Sequence, residues 1–148
     1  STVELTSGRL RRFEVRGIEV FDDTYNANPE SVKAAIDTLV ERPAEDPLQR
    51  TVVLGMMAEL GPQAERFHQE VGRYGAEHGV RVVSVGEDAA KIGEGAREAG
   101  NAEARHFDDY DEAAEWLREE LKEGDHVLFK GSRMAALEKV MNKVFPAN

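Results

Sequence analysis

The chain has 148 residues, of which 41% are hydrophobic and 32% are charged, a composition typical of one soluble globular domain of ordinary size. Its 19 lysines and arginines stand against 29 aspartates and glutamates, which gives a net charge of −10. This balance excludes a general nucleic-acid-binding protein, because such proteins need a basic surface, and it argues against docking on anionic lipid.

Other classes are excluded by what the sequence lacks. No apolar run approaches the roughly 20 residues of a membrane span, and the amino terminus has no signal-peptide pattern. The chain has no cysteine, which excludes disulfides, thiolate metal sites and cysteine nucleophiles. Its four histidines lack metal-ligand spacing, so no metal site is expected in this chain. We expect a cytoplasmic protein that is either processed before Ser1 or cut from a longer chain.

Periodicity predicts a β-hairpin followed by alternating helices and strands. Two strand-like runs, 10–15 and 18–22, flank Arg16-Gly17, which is typical of a two-residue hairpin turn. The other predicted strands span 51–55, 80–85, 104–107 and 126–130. The predicted helices span 29–40, from after 62 to about 78, about 87–99, about 110–121 and 133–145. Asn28 is the expected cap of the first helix, and Asp108 is the expected cap of the fourth.

The hairpin is thus followed by four consecutive strand–helix–strand units. Apolar strands without strict alternation indicate a mostly parallel sheet with helices on both faces. We therefore expect an α/β fold with five parallel strands and one antiparallel strand, in a single domain that spans 1–148.

The first candidate site is the polar segment 22–29, which joins a predicted strand to a helix. Ligands of open α/β sheets bind beyond the carboxyl ends of the strands. The carboxylates, carboxamides and phenol of this segment form a donor and acceptor surface beside the free N–H groups of a helix. The alternative is an ordinary polar loop whose Asn28 caps the helix.

The second candidate site is Lys130-Gly131-Ser132-Arg133, which again joins a strand to a helix. A lysine, a hydroxyl, an arginine and free backbone amides together suit a carboxylate or a phosphate. The alternative is a serine that caps a helix beside two solvated cations.

The third polar strand end is the segment 55–61, in which Glu59 is the only charged residue. Met56 and Met57 are expected to serve in packing, and His68 on the following helix is expected to be structural. A glycine-rich stretch at 93–100 lies late in a helix and has the wrong spacing for a dinucleotide site, and no ATPase-type phosphate loop is present.

Together these segments resemble the C-terminal domain of the Mur ligases, in particular of the MurF type, which joins D-alanyl-D-alanine to UDP-N-acetylmuramoyl-tripeptide. The resemblance covers essentially the whole chain in order and is carried by Gly8-Arg9, 22–29, 54–61, His68, Gly72, 130–133 and Glu138. Its most specific segment is Tyr25-Asn26-Ala27-Asn28-Pro29. The chain departs from the family at Met56, where the family often has an acidic residue. The resemblance implies a Rossmann-like six-stranded sheet with one antiparallel strand.

The resemblance also implies an activity, that of a bacterial, cytoplasmic, ATP- and Mg²⁺-dependent amide ligase of peptidoglycan precursor synthesis that acts through an acyl phosphate. In such enzymes the N-terminal and central domains hold the UDP group, the phosphate loop and the magnesium ligands. This chain is therefore expected to depend on those domains as partners. Alone it is expected to be inactive, with no complete catalytic set and no tightly bound cofactor.

Individual roles follow from the same resemblance. Arg9 would reach the phosphates of ATP, and Asp23 would accept hydrogen bonds from the ribose hydroxyls. The residues that would line the same crevice are Tyr25, Asn26 and Asn28. The residues that would hold the carboxylate of D-alanyl-D-alanine are Lys130, Ser132 and Arg133.

A second hypothesis belongs to a different class of protein. The chain would then be a stand-alone α/β module that binds a small anionic ligand without catalysis. It predicts measurable affinity of the chain for a dipeptide carboxylate, whereas a ligase domain whose site is completed by closure predicts weak binding.

Overall fold

One sheet of seven strands forms the centre of the computed structural model, which describes residues 4–6 and 10–147. The strands are β1 (Glu4–Thr6), β2 (Leu10–Val15), β3 (Ile18–Asp23), β4 (Arg50–Leu54), β5 (Arg81–Val85), β6 (Arg105–Phe107) and β7 (His126–Lys130). The helices are α1 (Pro29–Val40), α2 (Ala64–Glu77), α3 (Ala90–Glu98), α4 (Tyr110–Glu120) and α5 (Glu138–Val144). No helix in the described ranges is long and apolar enough to cross a membrane.

The strand order β1-β2-β3-β7-β4-β5-β6 confirms the expected α/β architecture. Strands β3, β7, β4, β5 and β6 run parallel, and β2 pairs antiparallel with β3. All six predicted strands are present. The short strand β1 extends the sheet beyond β2, with which it pairs antiparallel, so β2 is the one strand that runs against the others in the described sheet.

Helices cover both faces of the sheet. Because neighbouring residues of a strand point to opposite faces, the central strands contribute side chains to the cores on both sides. In β4, Val53 packs in the core beneath α4 and α5, whereas Val52 and Leu54 pack beneath α1, α2 and α3. All three side chains are at most 1% exposed. A sheet buried on both faces explains why the central strands read as continuous apolar runs.

Two local predictions about the helices are wrong. The cap of α4 is Asp109, whose carboxylate accepts from the N–H groups of Asp111 and Glu112, and not Asp108. The predicted helix 133–145 is interrupted, because a 3-10 turn at Arg133–Ala135 is followed by Ala136 in the left-handed region with φ 52°. Helix α5 therefore begins only at Glu138.

Helices α2 and α3 approach each other at two glycines. A Cβ atom at Gly72 would lie 1.9 Å from the carbonyl oxygen of Ile92, and one at Gly95 would lie 2.1 Å from that of Gln69. Gly95, within the glycine-rich stretch at 93–100, thus serves close helix packing, which agrees with the exclusion of this stretch as a dinucleotide site.

Candidate functional site

The three polar segments predicted from the sequence meet at the carboxyl ends of the central strands. They follow β3, β7 and β4, which are adjacent strands in that order. Lys130 is the register partner of Asp23 on one side and of Leu54 on the other. The carboxyl ends of these three strands therefore bring segments 22–29, 130–133 and 55–61 together.

The two aspartates that end β3 face different partners. The Asp22 carboxylate accepts hydrogen bonds from Nε and Nη2 of Arg11 at 3.1 and 2.6 Å and from Oγ1 of Thr24 at 2.8 Å. These contacts tie the turn after β3 to β2. Asp23 instead points to β7, where its Oδ2 accepts a hydrogen bond from Nζ of Lys130 at 2.6 Å.

Lys130 also donates to the carbonyl oxygen of Asn26, at 3.0 Å. The lysine is 3% exposed, so its ammonium is enclosed between the end of β7 and the loop after β3. The alternative prediction, in which Lys130 is a solvated cation at the surface, is therefore wrong. The predicted contact of Lys130 with a ligand carboxylate stays a prediction, and the ammonium that would make it already has two acceptors.

Asn26 and Asn28 both support the backbone of their own loop. Oδ1 of Asn26 accepts from the N–H of Ala27 at 2.9 Å. Asn28 caps α1, with its Oδ1 accepting from the N–H of Ser31 and the Ser31 hydroxyl reaching back to the cap. The structural prediction for Asn28 is confirmed, and its Nδ2 donates to none of the described residues.

The loops after β7 and β4 are joined through their backbones. The N–H of Gly55 donates to the carbonyl of Lys130 at 3.0 Å, and the N–H of Ser132 donates to the carbonyl of Met56 at 2.9 Å. A Cβ atom at Gly55 would lie 2.7 Å from Cβ of Ala135, and one at Gly131 would lie 3.1 Å from it. A Cβ atom at Gly131 would also lie 3.3 Å from Cα of Gly55, so glycine at both positions allows the two loops to touch.

Ser132 is buried, at 4% exposed, but it does not cap a helix through its side chain. Its Oγ is a buried side-chain polar atom that has no hydrogen-bond partner in the described part of the chain. The predicted alternative of a capping serine is therefore wrong. Buried hydroxyl groups are nearly always paired, so an unpaired one requires an explanation such as a ligand.

Arg133 and Tyr25 link the same two loops at the surface. The guanidinium carbon of Arg133 lies 5.5 Å from the ring centroid of Tyr25, within the range of a cation–π contact. Arg133 is exposed and Tyr25 is 42% exposed. Arg133 thus provides a cation that a ligand from solution can reach.

His68 holds the loop after β4, as predicted for a structural histidine. Its Nδ1 lies 2.7 Å from the carbonyl oxygen of Ala64, and its Nε2 accepts from the N–H of Met57 at 2.9 Å. A neutral imidazole protonated on Nδ1 satisfies both contacts. Glu59 is exposed in this loop with φ 59°.

Two adjoining hollows extend the site along the ends of β4, β5 and β6. Their volumes are 340 and 500 Å³, and both are lined by Met56, Glu87 and Asp88. The first hollow also includes Tyr110 and the 75% exposed Met134. Glu87, Asp88, Tyr110 and Met134 were not predicted as site residues from the sequence. For Glu87 and Asp88 a signal was present, since they are a polar pair that closely follows a strand, like those that marked the other segments.

Tyr110 ties α4 to the loop after β7, because its hydroxyl donates to the carbonyl of Ala135. Burial raises the pKa of the Tyr110 phenol, and the carboxylates of Glu138 and Asp88 raise the pKa further. Tyr110 therefore stays a neutral hydrogen-bond donor at the wall of the first hollow.

Two sequence-based expectations remain. The predicted phosphate contact, Arg9, lies outside the described residues. Within the described ranges, no group of three or more carboxylate or histidine side chains is arranged to hold a metal ion. Among the described residues, the candidate site consists of the buried or half-buried Asp23, Lys130 and Ser132 and the exposed Tyr25 and Arg133.

The model of the family described as "Mur ligase, glutamate ligase domain" matches residues 8–133. A UDP-N-acetylmuramoyl-tripeptide–D-alanyl-D-alanine ligase from Synechocystis is 32% identical over 148 residues, which cover 99% of this chain and 32% of the relative. The chain thus spans about a third of the length of such relatives.

Solved structures of MurF ligases resemble this chain as well, again over about a third of their length. The crystal structure of MurF ligase from Thermotoga maritima in complex with ADP superposes with a TM-score of 0.78 at 30% identity, over 95% of this chain and 31% of that protein. A MurF crystal structure from Acinetobacter baumannii superposes with a TM-score of 0.82 at 30% identity, with the same coverage of 95% and 31%.

Proposed function

The chain belongs to the Mur ligase family, and we propose that it is the C-terminal domain of a bacterial, cytoplasmic ligase that joins D-alanyl-D-alanine to UDP-N-acetylmuramoyl-tripeptide. The names of its relatives and its coverage of about a third of their length support this proposal. One structural observation carries it. The two segments assigned to the nucleotide and to the dipeptide contact each other through Asp23 and Lys130.

The proposed reaction has two steps. A carboxylate oxygen of the tripeptide attacks the γ-phosphorus of ATP, and ADP leaves, which gives an acyl phosphate. The amine of D-alanyl-D-alanine then attacks the acyl carbon, and the tetrahedral intermediate loses a proton and expels inorganic phosphate. Enzymes catalyse such transfers mainly by positioning the reactants and stabilising charge.

The loop after β3 forms the nucleotide side of the proposed site. The hydrogen bond from Lys130 to Asp23 uses Oδ2, so Oδ1 of Asp23 is not engaged by any described residue. A carboxylate oxygen accepts readily from a ribose hydroxyl. Tyr25, Asn26 and Asn28 are exposed around it. Arg9 is proposed as a contact of the phosphates.

The loop after β7 forms the dipeptide side. Arg133 is exposed and suits a carboxylate because its planar guanidinium donates two parallel hydrogen bonds. Ser132 supplies a hydroxyl that no described residue uses. Lys130 ends the strand from which this loop departs, and its ammonium contacts the loop after β3.

Apart from Arg9, the groups that bind the phosphates and the magnesium ion are assigned to the central domain of the ligase, and the UDP group is assigned to the N-terminal domain. Because the described residues offer no set of metal ligands, no step through Mg²⁺ is assigned to them. The chain alone is then expected to lack turnover, since its site is completed only when the domains close.

Turnover by two proteins tests the proposal. One is this chain, and the other is the product of the gene read with the coding sequence upstream of Ser1. We expect release of ADP that requires both UDP-N-acetylmuramoyl-tripeptide and D-alanyl-D-alanine, and only from the longer protein. Turnover by this chain alone, or a coding sequence that begins at Ser1, would refute the proposal.

Arg133→Ala in the longer protein tests the dipeptide side. We expect the KM for D-alanyl-D-alanine to rise by roughly tenfold or more, because a charge-assisted contact is lost, with the KM for ATP nearly unchanged. Lys139→Ala, at an exposed position of α5, is the matched control and should change neither constant. An unchanged KM for the dipeptide in the Arg133 variant would remove this residue from the site.

The isolated chain distinguishes the second hypothesis. Titration with D-alanyl-D-alanine, followed at the amides of Gly131 and Ser132 by NMR, should show weak or undetectable binding if domain closure completes the site. Saturable, tight binding without turnover in either protein would favour a stand-alone binding module.

A further inference from the structure

Lys130 is the one lysine among the described residues that is buried. Removing an ammonium group from water is unfavourable unless the charge is both paired and hydrogen-bonded. The other five lysines of the chain are half-buried or exposed. The contacts of Lys130 must therefore compensate for the burial of its charge.

The partners of Lys130 all belong to the neighbouring strand ends. Nζ donates to Oδ2 of Asp23 at 2.6 Å and to the carbonyl of Asn26 at 3.0 Å. The carbonyl of Lys130 accepts from the N–H of Gly55 at 3.0 Å. The last residue of β7 thus fixes the loop after β3 through its side chain and the loop after β4 through its backbone.

A direct contact of Lys130 with a ligand carboxylate is disfavoured by this arrangement. The ligand would place a second carboxylate beside that of Asp23, and two like charges at that distance repel. Arg133 offers an exposed guanidinium to the same ligand without that conflict. Lys130 is therefore poorly placed as the dipeptide contact and well placed to act on Asp23.

We propose that Lys130 is a positioning residue that orients Asp23 and the Asn26 backbone for the nucleotide, and that it does not itself bind the dipeptide. This inference rests on the proposed ligase function. With Oδ2 of Asp23 held by Nζ, the direction of Oδ1 is fixed, and Oδ1 is the oxygen available to a ribose hydroxyl. The contact with Asn26 fixes the backbone that carries Tyr25.

Kinetics of the longer protein separate the two roles of Lys130. Lys130→Met keeps the length of the side chain and removes its charge. We expect the KM for ATP to rise roughly tenfold or more and the KM for D-alanyl-D-alanine to change less than about threefold. Asp23→Asn should give the same pattern. The double variant should be no worse than the more severe single variant, because both changes break one contact.

Stability of this chain gives a readout that needs no ligase activity. Lys130→Met leaves Asp23 without its partner, so we expect the Tm to fall by about 5 to 15 °C. The double variant Asp23→Asn, Lys130→Met carries neither charge and should recover at least half of that loss. The amide signals of residues 24–27 should move in both single variants. Lys139→Met is the matched control and should leave the Tm and these signals unchanged.

The outcomes are distinguishable. If Lys130→Met does not fold, the double variant, in which no charge is left unpaired, tests the dipeptide half of the proposal, and its KM for D-alanyl-D-alanine should change less than about threefold. A rise confined to the KM for D-alanyl-D-alanine, or additive effects of the two substitutions on the Tm, would overturn the positioning role. Absence of turnover in the unsubstituted longer protein would overturn the proposed function instead, while the stability comparison would still report on the ion pair.

Discussion

Two buried serines show how function and stability separate at single residues. Ser84 is fully buried, and its Oγ lies 2.8 Å from Nδ1 of His106. Ser132 is 4% exposed, and its Oγ has no hydrogen-bond partner in the described part of the chain. An unpaired buried polar group costs about 1–3 kcal/mol, a cost that natural proteins retain mainly at functional sites.

Ser132→Ala should therefore stabilise this chain. Removing the unpaired hydroxyl is expected to raise the free energy of unfolding by about 1 kcal/mol, which corresponds to a rise in Tm of about 2–4 °C. Thermal unfolding followed by circular dichroism measures the change. In the longer protein the same substitution should raise the KM for D-alanyl-D-alanine.

Ser84→Ala is the matched control, because it removes a buried hydroxyl that is paired. Its loss leaves Nδ1 of His106 without its partner, so the Tm should fall. If both variants lose similar stability, the Ser132 hydroxyl has a structural partner, and its assignment to the dipeptide side fails.

At the scale of the elements, the sequence predicts what is local and repetitive. The six predicted strands and the Arg16-Gly17 turn, where both residues have positive φ, follow from apolar runs and turn chemistry. The interruption at Ala136 is not predictable from the pattern, since apolar spacing continues through it. Asp108 and Asp109 carry the same chemistry, so only the geometry of the turn selects Asp109 as the cap.

The candidate site was predictable as segments and not as contacts. Polar residues after strands indicated 22–29 and 130–133, but the pairing of Asp23 with Lys130 depends on β3 and β7 being neighbours in this register. Strand order is a property of the whole chain, which local patterns do not encode. For that reason the sequence predicts a ligand contact for Lys130, which stays a prediction, but does not predict its pairing with Asp23.

The packing of α2 on α3 gives a prediction about elements. Gly72→Ala would place the new Cβ atom, at its ideal position, 1.9 Å from the backbone carbonyl oxygen of Ile92. A backbone atom cannot rotate away as a side chain can. The helices must separate, so we expect a loss of about 3 kcal/mol in the free energy of unfolding. Urea denaturation measures this loss.

Gly79→Ala provides the matched control. Gly79 has φ +79° but no atom within 4 Å of its ideal Cβ position, so the same substitution there adds only backbone strain of about 1–2 kcal/mol. A loss at Gly72 no larger than at Gly79 would show that α2 and α3 are not held at backbone contact.

At the scale of the molecule, the carboxyl and amino ends of the sheet's parallel strands differ in composition and in role. The carboxyl ends of the strands hold the candidate site and Ser132, whose hydroxyl no described residue pairs with. The amino ends hold Glu19, which is 7% exposed and whose carboxylate is bound by Arg12, Arg42 and His126 at 2.7 to 2.9 Å. This cluster joins β2, β3, β7 and the segment after α1, so it stabilises the domain away from the site.

The stability that Glu19 provides should depend on pH. Burial raises the pKa of Glu19, but the hydrogen bonds from His126 and Arg42 outweigh burial and hold the pKa below its ordinary value of 4.5. A carboxyl group whose pKa is lower in the folded state stabilises the fold above its unfolded pKa, and this stability is lost as the pH falls through the folded pKa.

Glu19→Gln should therefore lower the free energy of unfolding by about 3 kcal/mol at neutral pH, because the two arginines and the histidine lose the negative charge that they surround and one of the two acceptor oxygens becomes an NH₂ donor. The difference from the unsubstituted chain should shrink as the pH falls below about 4.5, since glutamine resembles the protonated acid. Urea denaturation of both proteins from about pH 7 to about pH 3 measures it. Glu14→Gln, an exposed change at the register partner of Glu19, should have little effect. An equal loss for Glu19→Gln at every pH would show that the cluster acts through packing and not through charge.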